Sequence, residues 1–241
     1  MRTIIGALFL WPMALAAQTP FEARFDLRYG PFRIAEARIA GQIDTATYSA
    51  EGNVRSAGIV DLLRAFHFDL SATGIRPDTA GDDGAFVPDH YVGDADTGRR
   101  QVQVVMHYVD HVPVIERIAP NEPARPWSLS PDEQAGTVDP LSAVFRIVYP
   151  RADRAPCGWS VEIFDGRRRG ELALAAPHVS GDTARCDGQY RRTAGYSPDD
   201  MAERDGYALS LEYHRDGAGL WQLHEVVTQT PYGRMRILRQ P

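Results

Sequence analysis

The two cysteines of the chain, Cys157 and Cys186, flank a predicted β-hairpin and lie 29 residues apart. Cα atoms joined by a disulfide are about 4.4–6.8 Å apart, whereas the first and third strands of a flat meander are about 9.5 Å apart. We therefore predict a disulfide in which at least one cysteine lies off the ladder. The chain-entropy model gives a loop of this length about 3–4 kcal/mol of stabilisation. Two buried free thiols are the alternative, and an oxidising compartment would favour the bond.

Three consecutive arginines, Arg167, Arg168 and Arg169, follow an Asp-Gly turn signal at the tip of that hairpin. They form the densest basic group in a chain of formal net charge −6. Guanidinium groups suit phosphate and carboxylate partners, so these arginines are the candidate contact for an anionic head group or partner. A solvated turn is the alternative. Like charges in a tight turn repel one another, so folding is not expected to require them.

Two groups of residues could supply metal ligands, a pair of histidines and an acidic loop. His107 and His111 have the spacing of a helical zinc pair, but their segment is β-branched and extended. That places them about 13 Å apart, too far for Zn–N bonds of about 2.0–2.1 Å. Asp78, Asp82 and Asp83 lie in a loop that fails the EF-hand pattern, which leaves only an irregular calcium site open. We predict no metal and no cofactor.

Catalytic residues do not form a recognisable motif. Ser142, His107 and Asp139 have the residue types of a triad, but no serine lies in a G-x-S-x-G sequence. The cysteines do not form a C-x-x-C pair. Adjacent carboxylates such as Asp199 and Asp200 are expected to be solvated. We predict a protein that is not an enzyme, with a hydrolase of unrecognised site as the less favoured alternative.

The first 16 residues have the pattern of a secretory signal peptide. Met1-Arg2 gives a positive start, an apolar run follows from Ile4, and Ala14-Leu15-Ala16 is an A-x-A cleavage signal. The apolar run is shorter than the roughly 20 residues of a spanning helix. We predict cleavage after Ala16, no transmembrane segment, and one β-rich periplasmic domain at 17–241. The acidic balance argues against a nucleic-acid partner.

Period-two alternation of apolar residues predicts about a dozen strands. A helix is predicted after Asp139, an N-cap residue followed by Pro140, with an apolar face that ends before Pro150. A short helix is predicted from Ile59 to Phe66. The predicted strands lie at 21–29, 32–39, 43–50, 53–57, 67–72, 99–108, 112–118, 159–164, 171–175, 190–194, 206–214, 220–228 and 232–238.

This number of strands in one domain is too large for a single flat sheet. We therefore predict an all-β, mainly antiparallel fold, in which a curled sheet forms a spiral or half-open β-barrel with one or two short helices. The helix after Asp139 is expected to cover one mouth or one face of it.

Several short motifs resemble one family of exported bacterial proteins, domain of unknown function 3108. The resemblance implies a secreted β-rich protein without assigned chemistry. His224 and Glu225 depart from it, because a plainer strand is expected there. The motifs are Pro88-x-x-Tyr91, Gly136 to Ala143, Phe164 to Arg168, Leu220-Trp221 and Pro231 to Gly233.

Looser analogy links the chain to curled-sheet envelope proteins that carry lipids or lipoproteins, and analogy of fold is a weak guide to function. Our hypothesis is a non-enzymatic cell-envelope protein that binds an apolar or amphipathic molecule, lipid or lipoprotein-like, inside the curled sheet. The alternative is a periplasmic protein–protein interaction module for envelope integrity.

Overall fold

The alternating segments pair with their neighbours in sequence and form one antiparallel sheet of 14 strands in the described part of the chain. The computed structural model describes residues 19–44, 46–76, 86–151, 156–230 and 233–241. The predicted signal peptide at 1–16 lies outside them, as do Asp78, Asp82 and Asp83. The strands are β1 Thr19–Tyr29, β2 Phe32–Ile43, β3 Thr47–Ser56, β4 His67–Ile75, β5 Val87–Asp96, β6 Gln101–Val109, β7 Val112–Ala119, β8 Trp159–Phe164, β9 Arg169–Leu174, β10 His178–Ser180, β11 Thr183–Ala194, β12 Gly206–Arg215, β13 Trp221–Thr230 and β14 Gly233–Arg239.

The strand order is β7-β6-β5-β4-β3-β2-β1-β14-β13-β12-β11-β9-β8, and β10 pairs with β11 beside this path. The first and last strands are therefore partners in the middle of the sheet, with Phe25 opposite Arg239. The edges are β7 and β8. These observations confirm the prediction of a mainly antiparallel, curled all-β fold.

The two edges approach each other through the segment that precedes the main helix. Val138 pairs with Ile163 of β8, while the Gly136 N–H donates to the His111 carbonyl at 3.0 Å in the turn between β6 and β7. The β8–β9 turn also packs on β6, because a Cβ at Gly166 would lie 2.8 Å from Val104. Residues 136–138 thus connect both ends of the curl.

Four short helices occur in the described residues: α1 Ile59–Leu63, α2 Pro131–Gln134, α3 Pro140–Val148 and α4 Pro198–Glu203. Helix α3 begins as predicted, with Pro140 in its first turn and the Asp139 carboxylate accepting the Ser142 N–H at 2.9 Å. Helix α4 begins similarly, since the Ser197 hydroxyl accepts the Asp200 N–H at 3.1 Å. None of these helices is long and apolar enough to cross a membrane.

Helix α3 lies inside the curl and supplies the centre of the core. Leu141 and Phe145 are fully buried. The sheet makes room for them with glycine, because a Cβ at Gly41 would lie 2.8 Å from the Phe145 ring and one at Gly52 would lie 2.8 Å from Leu141. Glycine inside a strand marks such close approaches. The predicted break at Gly52 is therefore wrong, since β3 runs through it.

Other expectations also differ from the structure. Four helices occur in the described residues where one or two were predicted, and β11 begins at Thr183, before the predicted 190. Helix α1 ends at Leu63, and its apolar side chains are not buried: Leu62 is 87% and Leu63 80% exposed. Strand β5 was not predicted, because Pro88 and Gly93 interrupt its alternation. Pro88 is tolerated where the register between β4 and β5 shifts.

The disulfide between Cys157 and Cys186 is formed, with 6.3 Å between the Cα atoms. Cys186 lies within β11, whereas Cys157 precedes β8 and is off the ladder. Because β9 lies between β8 and β11, a bond between two ladder positions would have to span too far. The predicted bond and its predicted geometry are both confirmed.

Candidate functional site

A cavity of about 450 Å³ lies between α3 and the sheet, where the two ends of the curl approach each other. We call it the α3 cavity. Its wall comes from α3, the start of β5, the turn after β6, the connecting segment 136–138, and the β8–β9 hairpin. The lining residues are Phe86, Val87, Pro88, Tyr108, His111, Gly136, Thr137, Val138, Ser142, Ala143, Arg146, Ser160, Val161, Glu162 and Glu171.

A chain of three polar side chains lies at the α3 wall of the cavity. The Ser142 hydroxyl donates to Asp139 Oδ2 at 2.5 Å, and Tyr48 lies 2.6 Å from the same hydroxyl oxygen. Since an ionised carboxylate only accepts, the Ser142 proton is directed to Asp139 and the Tyr48 proton to Ser142. All three residues are buried. The arrangement holds α3 against β3 and fixes the orientation of Ser142.

Asp139 is a buried acid whose protonation is linked to folding. Burial raises its pKa to about 6 from an ordinary 3.8, although hydrogen bonds from the Ser142 hydroxyl and nearby N–H groups act against the shift. A raised carboxyl pKa favours the folded state only while the acid is protonated. The contribution of protonated Asp139 to the stability of the folded state is therefore complete below about pH 4, and it is lost as the pH rises through about 6.

We expect Asp139→Asn to remove this pH dependence and to keep the cap, because asparagine caps helices as well as aspartate does. Relative to the variant, wild-type stability should fall by about 2 kcal/mol between pH 4 and pH 7. Urea unfolding of both proteins across this pH range measures the difference in their free energies of unfolding. Groups that titrate equally in both proteins cancel in that difference. Parallel stability curves for the two proteins would contradict the prediction.

Arg146 is a charged residue on the wall of the cavity with only 4% of its surface exposed. Its guanidinium lies over the Trp159 ring, 4.0 Å from the centroid. Ser142 and Arg146 are four residues apart and share one face of α3. The sequence analysis treated this helix only through its apolar positions, so Arg146 was missed. The i, i+4 spacing of serine and arginine was the signal available.

Tyr108 brings a second unusual polar group to the cavity. Its hydroxyl is inaccessible to solvent and has no hydrogen-bond partner among the described residues. Burial raises the pKa of Tyr108, and the charge of Asp139 adds to the shift, so the hydroxyl stays protonated. A buried hydroxyl without a partner costs about 1–3 kcal/mol. Tyr108 lines the cavity, but because its hydroxyl is inaccessible to solvent, the ring must turn for a bound acceptor to pair with that hydroxyl.

Ser142, His107 and Asp139 do not come together as a catalytic triad in the described residues. Ser142 bonds to Asp139 and Tyr48, whereas His107 lies on β6 with Nδ1 2.9 Å from a Glu116 carboxylate oxygen. His107 is not part of the cavity wall, although His111 is.

The three arginines of the β8–β9 turn have partners within the chain. Arg167 pairs with Glu122 at 2.8 Å, Arg169 donates to Glu162 at 3.0 Å, and Arg168 lies over the Tyr196 ring at 5.0 Å. None of the three lines the α3 cavity. The anion contact stays a prediction, and the structure adds a structural role for Arg167 and Arg169 that sequence reasoning did not assign.

One group of three possible metal ligands occurs among the described residues: Glu212, His214 and His224 on β12 and β13. The sequence analysis missed it because the three are joined only by the pairing of two strands. The Glu-x-His spacing was a visible signal, since residues i and i+2 of a strand share a face.

Comparison with known proteins shows a similarity in structure and none in sequence. No family model matches it, and no curated protein matches it. The resemblance to domain of unknown function 3108 is not confirmed. A solved structure with a similar chain course is the β-barrel-like protein of the domain of unknown function DUF1849 from Brucella abortus. The two chains are 12% identical, with 92% of this chain and 95% of that chain covered and a TM-score of 0.49.

Proposed function

We propose that the protein is a non-enzymatic binding protein of the cell envelope that takes up a small amphipathic molecule in the α3 cavity. The observation that carries the proposal is the cavity itself. Its volume of about 450 Å³ falls in the range of about 300–1,000 Å³ typical of small-molecule sites, which are mainly apolar with a few placed polar groups. Phe86, Val138 and Val161 supply apolar wall, and Tyr108 and Arg146 supply polar groups.

The polar groups indicate what the ligand must carry. Tyr108 offers a hydroxyl donor, and Arg146 brings positive charge to the wall, so the ligand's polar end should be a hydrogen-bond acceptor such as a carboxylate. The two carboxylates of the facing wall are each paired, Glu162 with Arg169 and Glu171 with Arg191. Their repulsion of an anionic group is thereby reduced. The volume suits a single-chain lipid better than a two-chain phospholipid.

Export to the periplasm is part of the proposal. The disulfide between Cys157 and Cys186 supports it, because such bonds form and persist in oxidising compartments. The signal-peptide pattern at 1–16 supports it from the sequence. The remainder, 17–241, would then be a single β-rich domain.

A fatty acid tests the proposal directly. We expect dodecanoate to bind the full chain at one saturable site, measured by calorimetry. Val161→Trp should weaken binding strongly, because the indole occupies part of the cavity, whereas Val179→Trp on exposed β10 should leave binding unchanged. Tyr108→Phe should weaken binding about tenfold, because it removes one hydrogen bond to a charged acceptor.

Native mass spectrometry of protein purified from its own host provides a second readout, because a resident ligand would appear as added mass. Dodecanoate binding that is equal in Val161→Trp and wild-type protein would contradict the cavity as the site. Absence of both fatty-acid binding and co-purified ligand would contradict the function.

A further inference from the structure

The outer side of β12 and β13 carries three side chains whose ligating atoms converge. Atoms of Glu212, His214 and His224 all lie within 4.8 Å of one another. Glu212 Oε1 is 2.7 Å from His214 Nε2, and the two imidazole rings stack with centroids 4.2 Å apart and planes 15° apart. All three residues are half-buried.

A β-bulge places His224 in this group. Glu212 is opposite Glu225 and Tyr213 is opposite Leu223, so His224 is an extra residue without a partner of its own. Leu223 is buried, and Val226 also packs against the core. The two residues between them therefore both face outward, whereas regular alternation would turn one of them inward. This explains the break in pattern at His224 and Glu225 that the sequence showed.

Bulges re-aim side chains and are common beside functional sites. Here the bulge brings an imidazole of β13 next to an imidazole and a carboxylate of β12. Tyr213 and Leu223 are buried behind them, so the site stands on two strands anchored in the core. Arg185 Nε donates to Glu212 Oε2 at 2.9 Å, which orients the carboxylate with its other oxygen toward His214.

From this geometry we propose that Glu212, His214 and His224 bind a divalent transition-metal ion, with Zn²⁺ as the ion best suited to the ligand set. Two imidazoles and a carboxylate are a known zinc ligand combination, and three protein ligands leave a coordination position open to water or to a partner. Zn²⁺ binds such atoms at about 2.0–2.2 Å, so the stacked rings must tilt toward each other when the ion binds. The metal lies outside the α3 cavity and is independent of its ligand.

Zn²⁺ titration of the full chain, prepared without a polyhistidine tag, tests the site by calorimetry. We expect one ion per chain. His214→Gln, His224→Gln and Glu212→Gln should each weaken binding at least about tenfold, as loss of metal-site residues does. His178→Gln, on exposed β10, and His107→Gln, which changes another histidine–carboxylate pair, should bind as wild type.

Co²⁺ binding gives a second measurement, by absorption spectroscopy instead of calorimetry. Its visible absorption should report a site with nitrogen ligands in wild-type protein and should be lost in His224→Gln. Equal melting temperatures of all variants in the presence of a chelator would show that the substitutions leave the fold intact. The proposal is overturned if wild-type protein shows no saturable binding, or if binding survives His214→Gln and His224→Gln or disappears in His107→Gln.

Discussion

Phe145→Ala should lower the free energy of unfolding by about 3–5 kcal/mol, the range for removing a fully buried aromatic ring. The Phe145 side chain has no exposed surface. Its ring lies 5.2 Å from that of Phe86, 5.4 Å from that of Tyr149 and 6.1 Å from that of Tyr48, measured between centroids. The substitution removes the centre of this cluster and leaves a cavity between α3 and the sheet.

The neighbouring residue on the same helix is the matched control. Val144 is 38% exposed, so Val144→Ala should change the stability by no more than about 0.5 kcal/mol. Urea unfolding followed by circular dichroism measures both variants. Similar small losses for the two would mean that α3 contributes little to the core, against the packing described above.

Replacing both cysteines with serine should lower the free energy of unfolding by about 3–4 kcal/mol, because the unfolded chain regains the freedom of a 29-residue loop. Both cysteines are also buried, which adds to the loss. Thermal unfolding of the double variant and of oxidised wild-type protein measures the difference. Reduced wild-type protein should lose the loop contribution alone and so be somewhat more stable than the double variant, whose serine hydroxyls are buried.

The bond itself is checked by mass measurement after alkylation without reductant. We expect no adducts on protein exported through its own N-terminal segment. Two adducts on freshly isolated, folded protein would contradict the bond.

Local patterns predicted most of the elements. Alternation located most strands, the Asp-Gly signal located the β8–β9 hairpin, and Asp139-Pro140 located the start of α3. These signals act over a few residues, so a single sequence displays them. The count of strands was then enough to infer a curled sheet.

The α3 cavity could not be predicted in the same way. Its wall combines residues far apart in the chain, such as Phe86, Tyr108, Ser142 and Val161, and their proximity depends on how the sheet curls. Arg146 illustrates the physical reason, because its burial on α3 is compensated in part by the ring of Trp159 from β8, which stacks against the guanidinium. Gly52 was predicted to interrupt a strand. The structure shows that the close approach of helix α3 to the sheet, and not a turn, requires glycine at this position.

The pairing of β1 with β14 has a consequence for the order of folding. Contacts between strands that are neighbours in sequence form early, while those that close a long loop form late. Strands β1 to β7 form one local meander, and β8 to β14 form the other side of the sheet. We therefore expect the pairing of β1 with β14 to form late. A chain delivered across a membrane from its N-terminus would present β1 first, with one edge unpaired until β14 arrives. Exposed edges of this kind invite pairing with other chains, and if the chain is exported as proposed, a chaperone that shields β1 during this interval would raise the yield of folded protein.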